Sequence, residues 1–370
     1  MGLPRGRWRC HPAGMTDAPP LSQEELDQAS LEVRRHGVPA PEPTTRRFDI
    51  LSALESEPRI ELERLEAGRW RLHVTLPEAE RASVEPAAIE PIVIRREELR
   101  EDPEDVLAEL VPSMPDHLEL SIRPQLRELL VEEGLIRFGE LRYRPTTIFR
   151  PDGRGPYYDP SYPWGCLVRV TNQAGKSGSG VLIGPRHVLT ASHCVDWTPG
   201  WAKVEVLFDA RRPALAECYA TYAYAETKVT GTEIGDADSD EDYAVLVLEQ
   251  RLGDQFGWMG AKTYNSSWDD EPLPWKNLGY PGDFPYSGQT PTYQRDFLLN
   301  ELGADYGSAR LIRSDTFDNV PGQSGGPIFG FWSNGPHVVG VVSGEGDDYN
   351  YISGGSLLPR MINRARSGHP

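Results

Sequence analysis

The stretch Pro321-Gly322-Gln323-Ser324-Gly325-Gly326-Pro327-Ile328-Phe329 sets one serine among glycines and leads into an apolar run. Glycine lets the backbone turn sharply and lets another chain approach closely. A serine in such a turn stands exposed, with backbone N–H groups pointing outward. Acyl transfer needs both features: a hydroxyl to attack with and donors for the oxyanion that forms. Working outward, Ser179-Gly180-Val181-Leu182-Ile183-Gly184 precedes His187-Val188-Leu189-Thr190-Ala191-Ser192-His193-Cys194-Val195. Two short apolar strands flank a turn there, and a histidine stands at the exit of the second.

Together these stretches resemble the chymotrypsin-like (trypsin-like) serine peptidases. In that family a Thr-Ala-x-His-Cys segment carries the general base and a Gly-x-Ser-Gly-Gly-Pro segment the nucleophile. The resemblance covers roughly residues 148 to 370. It implies an all-β catalytic domain of two antiparallel six-stranded barrels, with the active site in the cleft between them. It implies that His193 is the base, Ser324 the nucleophile, and the N–H groups of Gly322 and Ser324 the oxyanion hole. The family's third member is an aspartate leading directly into a buried strand, in the pattern Asp-x-Ala-x-Leu. Asp242-Tyr243-Ala244-Val245-Leu246-Val247-Leu248 fits it, and Asp236, Asp238, Asp240 and Glu241 do not. The order His, Asp, Ser is the chymotrypsin order.

Gln323 stands where the trypsin branch has an aspartate that pairs with a freed N-terminal amine. Gln323, Leu278-Gly279-Tyr280-Pro281-Gly282-Asp283 and Ile148-Phe149-Arg150-Pro151-Asp152-Gly153-Arg154 resemble the bacterial glutamyl-endopeptidase branch instead. Val338 to Gly344 resembles the strand beside bound substrate, which implies substrate-binding roles for Ser343 and Gly344. Val342 occupies the place of that branch's glutamate-reading histidine. Asp318, six residues before Ser324, stands where trypsins place the carboxylate that reads Arg or Lys. Set against Asp315-Thr316, it also reads as a loop residue.

A net charge of −18 argues against nucleic acid and anionic membranes as partners. The resemblance implies a polypeptide substrate. No apolar run is long enough to cross a bilayer. Residues 1–20 carry Arg5, Arg7 and Arg9 with no apolar core after them, so no signal peptide is read. On sequence alone the chain reads as cytoplasmic, with secretion by another route left open. Asp236, Asp238 and Asp240 alternate as in a calcium loop, yet the sixth and twelfth positions are Glu241 and Val247. The run therefore reads as a solvated acidic loop, and no cofactor or metal is expected.

Cys10, Cys166, Cys194 and Cys218 are too few for a disulfide scaffold. The resemblance implies a bridge from Cys194 to a position just before the Gly180–Ile183 strand, but Ser177-Gly178-Ser179 stands there. Either Cys166 or Cys218 pairs with Cys194, or all are free thiols.

Residues 1–45 are Pro-, Ala- and charge-rich and are expected to be disordered, apart from one helix within 23–36 capped by Ser22. Residues 46–145 are expected to form a small α+β accessory or propeptide domain. It would hold a hairpin of 59–65 with 70–76, helices within 101–111 and 124–133, and a strand at 138–143. Such a domain would mask the cleft or bind a regulator. Pro145 to Pro163 reads as a linker, and 148–370 as the protease domain. A form beginning near Ile148 is then expected to be more active than the whole chain.

Two other functions compete. Gly322-Gln323-Ser324-Gly325-Gly326 also satisfies the Gly-x-Ser-x-Gly elbow of α/β-hydrolases. That fold needs a histidine well after the serine, and only His337 and His369 follow. A dead pseudoprotease that binds peptides is the non-enzyme alternative, and it usually shows a lost triad member.

Overall fold

A computed structural model describes residues 18–28, 59–64, 70–75, 87–100, 109–127, 149, 152–230, 239–284, 286–301, 309–346 and 348–370. The chain divides into two compact units: Leu31–Pro86, and Met1–Ser30 together with Ala87–Pro370. In the first, strands Arg59–Arg64 and Trp70–Thr75 pair antiparallel with Arg59 opposite Thr75. This is the expected hairpin.

The larger unit is built on short strands rich in Val, Leu and Ile, residues that suit a pleated, buried surface. Strands Leu167–Asn172, Ser177–Gly184, His187–Thr190, Ala202–Val206, Ala216–Ala225 and Ala244–Leu248 are paired antiparallel. Ala244–Leu248 pairs with both His187–Thr190 and Ala216–Ala225, which closes a six-stranded barrel. Val168, Val170, Val181, Leu189, Val204, Val206 and Val245 are buried in it. Closure removes the exposed strand edges that invite aggregation.

The second sheet is mainly antiparallel and has ten strands. Its centre is Lys276–Gly279, Pro327–Trp332, Gly335–Glu345 and Asn350–Gly355. Two of its strands lie outside the expected barrel: Gly155–Pro156, paired with Thr292–Arg295, and Glu109–Leu110, paired with Gly260–Lys262. Trp268, Trp275 and Trp332 pack against one another beneath it. A C-terminal helix, Leu357–Gly368, buries Leu357, Leu358, Met361, Ile362 and Ala365 on one face. With antiparallel sheets and a single helix of that length among the described residues, the α/β-hydrolase reading fails.

The expected domain boundaries differ from those observed. Residues 87–127 belong to the protease unit and not to a separate 46–145 domain. Strand Glu90–Val93 adds to the closed barrel, pairing parallel with Ala216–Ala225, and Ile89, Ile94 and Leu99 are buried. The 145–163 linker is also partly sheet. Within it Tyr157 and Tyr162 are buried, and Tyr162 N–H donates to Glu119 O at 2.9 Å. The physical reason is that Tyr157 and Tyr162, among the glycines and prolines, carry large apolar areas that seek burial.

Residues 18–28, of which only 23–28 were expected to be ordered, as a helix, dock on the second sheet. Leu21 N–H donates to Phe331 O at 2.7 Å, and Trp332 Nε1 donates to Ala18 O at 2.8 Å. The helix there starts with a capping box: Ser22 N–H donates to Glu25 Oε2 at 2.7 Å, and Glu25 N–H to Ser22 Oγ at 3.3 Å. The expected helix of 124–133 does not start at 124–127, where Leu126 forms a bridge with Tyr157. Residues 101–108 and 128–148, with the rest of the expected helices and the 138–143 strand, lie outside the described residues.

Candidate active site

His193 lies in a single helical turn, Ser192–Cys194, directly after the His187–Thr190 strand. Asp242 leads into Ala244–Leu248, the strand paired with it. Strand pairing therefore brings the two residues together across 49 residues of sequence. His193 Nδ1 lies 2.6 Å from Asp242 Oδ2, and the His193 backbone N–H donates to Asp242 Oδ1 at 2.9 Å. Asp242 is fully buried. An ionised carboxylate only accepts, so Nδ1 carries a proton and Nε2 of the neutral ring keeps a lone pair. That is the tautomer a general base needs. Burial by itself pushes the His193 imidazole down. The Cys194 sulfur and the Asp242 carboxylate outweigh this and hold it well above the ordinary histidine value.

Ser343, expected to bind substrate, turns its hydroxyl inward and donates to Asp242 Oδ2 at 2.7 Å. Gly344 faces open space and accepts a hydrogen bond on its carbonyl from Asn319 Nδ2 at 3.2 Å. His187, the other histidine of the motif, is buried, and burial together with Arg366 lowers it to about 4. It packs as a neutral ring.

Ser324 is half-buried on the loop that enters Pro327–Trp332. Its carbonyl accepts Ser179 N–H at 2.8 Å and lies 3.5 Å from Cys194 Sγ, which sets it beside the residue after His193. Among the described residues, the Ser324 hydroxyl makes no hydrogen bond to the imidazole. Around it the N–H groups of Gln323, Gly325 and Gly326 donate within the fold, to Val320 O, Val342 O and Gln323 O at 3.1, 2.7 and 2.8 Å. Gly322 N–H and Ser324 N–H, the two expected oxyanion donors, make no hydrogen bond among the described residues. Gly322 and Gly325 have φ of +100° and +81°. A Cβ at Gly322 would collide with Tyr280 O, and one at Gly325 with Ser179 O. Only glycine fits either place.

Sequence reasoning missed Ser179. This buried residue ties the Ser324 loop to both sheets: its Oγ donates to Gly322 O at 2.8 Å and accepts Tyr280 N–H at 2.9 Å, and its carbonyl accepts Thr190 Oγ1 at 2.7 Å. The available signal was the Ser-Gly-Ser in place of a cysteine. Cys166, Cys194 and Cys218 are free thiols. A Cβ on Gly178 would stand 2.5 Å from Cys194 Sγ, so glycine fills the place of the missing bridge partner. Burial raises the Cys218 thiol to about 11 and pushes Cys166 up further.

Asp318 is not a free pocket carboxylate. It is buried, and its oxygens accept Phe149 N–H at 2.7 Å, Gly153 N–H at 2.8 Å and Gln294 Nε2 at 3.0 Å. Of the acidic run, Asp240 is buried, while Asp236 and Asp238 lie outside the described residues.

A closed antiparallel barrel paired with a second sheet, and a histidine–aspartate pair beside a serine on a glycine loop, define a chymotrypsin-like architecture. Residues 153–354, more than half of the chain, match the model of the trypsin family, and the chain belongs to that family. It is similar to the glutamyl endopeptidase of Bacillus licheniformis, 26% identical over 200 residues, which are 50% of this chain and 58% of that protein. It is also similar to a Bacillus subtilis protein named extracellular metalloprotease, 25% identical over 204 residues, covering 51% of this chain and 59% of that one. The chain thus spans under two thirds of the length of these relatives. Among solved structures, a glutamyl endopeptidase in complex with MPD is 21% identical with a TM-score of 0.48, over 60% of this chain and 99% of that one. The Arthrobacter nicotinovorans protease Anisep is 20% identical with a TM-score of 0.42, over 54% and 94%.

Proposed function

We propose that the chain is a serine endopeptidase that cleaves polypeptides through an acyl-enzyme. The observation that carries this is the double grip of Asp242 on His193, at Nδ1 and at the backbone N–H. It fixes the ring with Nε2 free to act. Membership of the trypsin family supports it. His193 takes the Ser324 proton as Oγ attacks the scissile carbonyl. Gly322 N–H and Ser324 N–H hold the oxyanion, and His193 then protonates the leaving amine. Water repeats the sequence and releases the acid product.

The P1 side chain is proposed to be uncharged. Asp318, the carboxylate that would read Arg or Lys, has its oxygens engaged by Phe149, Gly153 and Gln294. Val342, where a glutamate-reading histidine would stand, is buried.

A fluorophosphonate probe and a peptide library test both readings. Expected are labelling of Ser324 that disappears in His193→Ala, loss of hydrolysis in a folded Ser324→Ala, and cleavage after neutral residues. No labelling and no hydrolysis would favour a peptide-binding pseudoprotease. A sharp preference for Arg, Lys or Glu at P1 would overturn the specificity reading.

A further inference from the structure

Gln323 precedes the nucleophile and offers a neutral amide where an ion pair with a freed amine is ruled out by chemistry. The structure supplies a different cation. Arg154 is 7% exposed, and its Nη1 donates to Gln323 Oε1 at 2.9 Å. The same guanidinium donates to Asp283 at 3.1 and 2.7 Å and to Asp152 at 3.0 and 2.8 Å. All five of its N–H donors are thereby used, and two carboxylates balance its charge. A planar fork held this way has one orientation, which a lysine could not reproduce.

That orientation passes into the nucleophile loop through the fully buried Gln323. With Oε1 turned to Arg154, the same oxygen accepts Val320 N–H at 3.1 Å. Nε2 then points the other way and donates to Asp318 O at 3.2 Å and to Asn277 Oδ1 at 3.3 Å. The Gln323 amide thus spans the turn from Asp318 to Ser324. Asp318 clamps the same turn to the Arg154 segment by accepting Phe149 and Gly153 N–H. Phe149 and Gly153 donate ordinary amide hydrogens, so none of these bonds requires a new chain end.

We propose that Arg154 is a positioning residue: through Gln323 it holds the Gly322–Ser324 turn with its two N–H donors outward, and it does so in the uncut chain. The proposal rests on the endopeptidase reading for its effect on rate, and on geometry alone for its effect on the loop.

The test uses the full chain with Arg154→Ala, Arg154→Lys and Arg154→Gly. Hydrogen exchange of the 318–326 segment is measured beside melting temperature, kcat, KM and the rate of fluorophosphonate labelling. Losing one oxyanion donor costs about 10² to 10³ in kcat, so Arg154→Ala is expected to lose about 10²-fold with KM within about threefold. Exchange of the segment should speed up. Arg154→Lys should recover part of the rate, and added guanidinium should recover part of it in Arg154→Gly but change nothing in the native chain. If Arg154→Ala does not fold, Gln323→Met removes the acceptor and should show the same kcat loss and faster exchange. A folded Arg154→Ala or Gln323→Met with native kcat and native exchange overturns the proposal. Guanidinium that restores melting temperature and not rate also overturns it, leaving Arg154 a purely structural residue. A native chain that neither labels nor hydrolyses, while exchange still responds to Arg154, leaves the loop role standing and removes the endopeptidase reading.

Discussion

The Ser343 hydroxyl donates a 2.7 Å hydrogen bond to Asp242 Oδ2, the oxygen that also lies 2.6 Å from His193 Nδ1. With His193 N–H on Oδ1 at 2.9 Å, the carboxylate is held by three donors and sealed from water. Gripped on both oxygens, Asp242 cannot rotate freely, so the imidazole it faces has a fixed tautomer.

Asp242→Asn reverses the donor on the His193 side and is expected to lower kcat by about 10⁴. Ser343→Ala removes one of three donors and leaves the carboxylate in place. About a tenfold loss is expected for it, the worth of one hydrogen bond to a charged group. Steady-state kinetics on a peptide substrate separates the two. Equal, mild losses would take Asp242 out of its orienting role.

The pH profile follows from His193. Its pKa stands well above the ordinary value of 6.5, because the Cys194 sulfur and the Asp242 carboxylate outweigh burial. As the proposed base, His193 works only when neutral. At pH 6.5 the ring is mostly imidazolium and idle, and kcat/KM should rise with pH through a value above 6.5. Asp242→Asn should move this acid limb downward in whatever activity remains. An acid limb below pH 6 in the native chain would contradict the arrangement.

Lys276 lies in the core of the second sheet, where its Nζ donates only to Pro274 O, at 2.7 Å, among the described residues. Burial lowers it to about 8. Between that value and about 10.4, the ordinary lysine value, the unfolded chain holds a proton that the folded chain lacks. Stability therefore rises with pH through this window, and below it the fold carries the full cost of a buried ammonium. Lys276→Met is expected to stabilise at pH 7 by about 2 kcal/mol, with the gain shrinking toward pH 10. Thermal melts at both values check it, and a destabilised variant at pH 7 would sink it.

The paired motifs made the family and the His193–Asp242 contact legible, because both residues sit at the ends of strands that read clearly as strands. The strands alone read only as a barrel or sandwich; the two-barrel fold came with the family resemblance, and Ala216–Ala225, which closes the barrel, was not read. Asp318 misled, because a spacing says nothing of which backbone amides will reach a carboxylate. Its partners, Phe149 and Gly153, are distant in sequence. Arg154, Ser179 and Ser343 act through contacts across the fold, and no local pattern marks them. The C-terminal helix could have been read: Leu357, Leu358, Met361, Ile362 and Ala365 recur at helical spacing. The 87–127 segment could not, since its strands pair with Ala216–Ala225 and Gly260–Lys262, more than a hundred residues later.

That segment argues against the expectation that removing the N-terminal region raises activity. Glu90–Val93 is a strand of the barrel sheet, and Ile89, Ile94 and Leu99 are buried, worth about 2 kcal/mol each. Arg360 Nη1 donates to Leu99 O at 2.8 Å, and Trp164 Nε1 to Ser121 O at 2.9 Å. Arg96 reaches the residues that flank Asp242. It pairs with Glu226 at 2.6 Å and with Glu241, the residue before Asp242, while Tyr243 after it donates to Glu226 Oε2 at 3.3 Å. Cutting at Ile148 and losing residues 1–147 leaves Glu226 and Glu241 without their cation and strips a strand from the barrel. The 148–370 fragment is therefore expected to melt at least ~10 °C below the whole chain and to lose most of its kcat. Arg96→Ala in the whole chain should reproduce part of the kcat loss with a smaller drop in melting temperature. Melting curves and active-site labelling of 1–370, the fragment and the variant decide it. A fragment as stable and as active as the whole chain would restore the view of residues 1–147 as a removable segment.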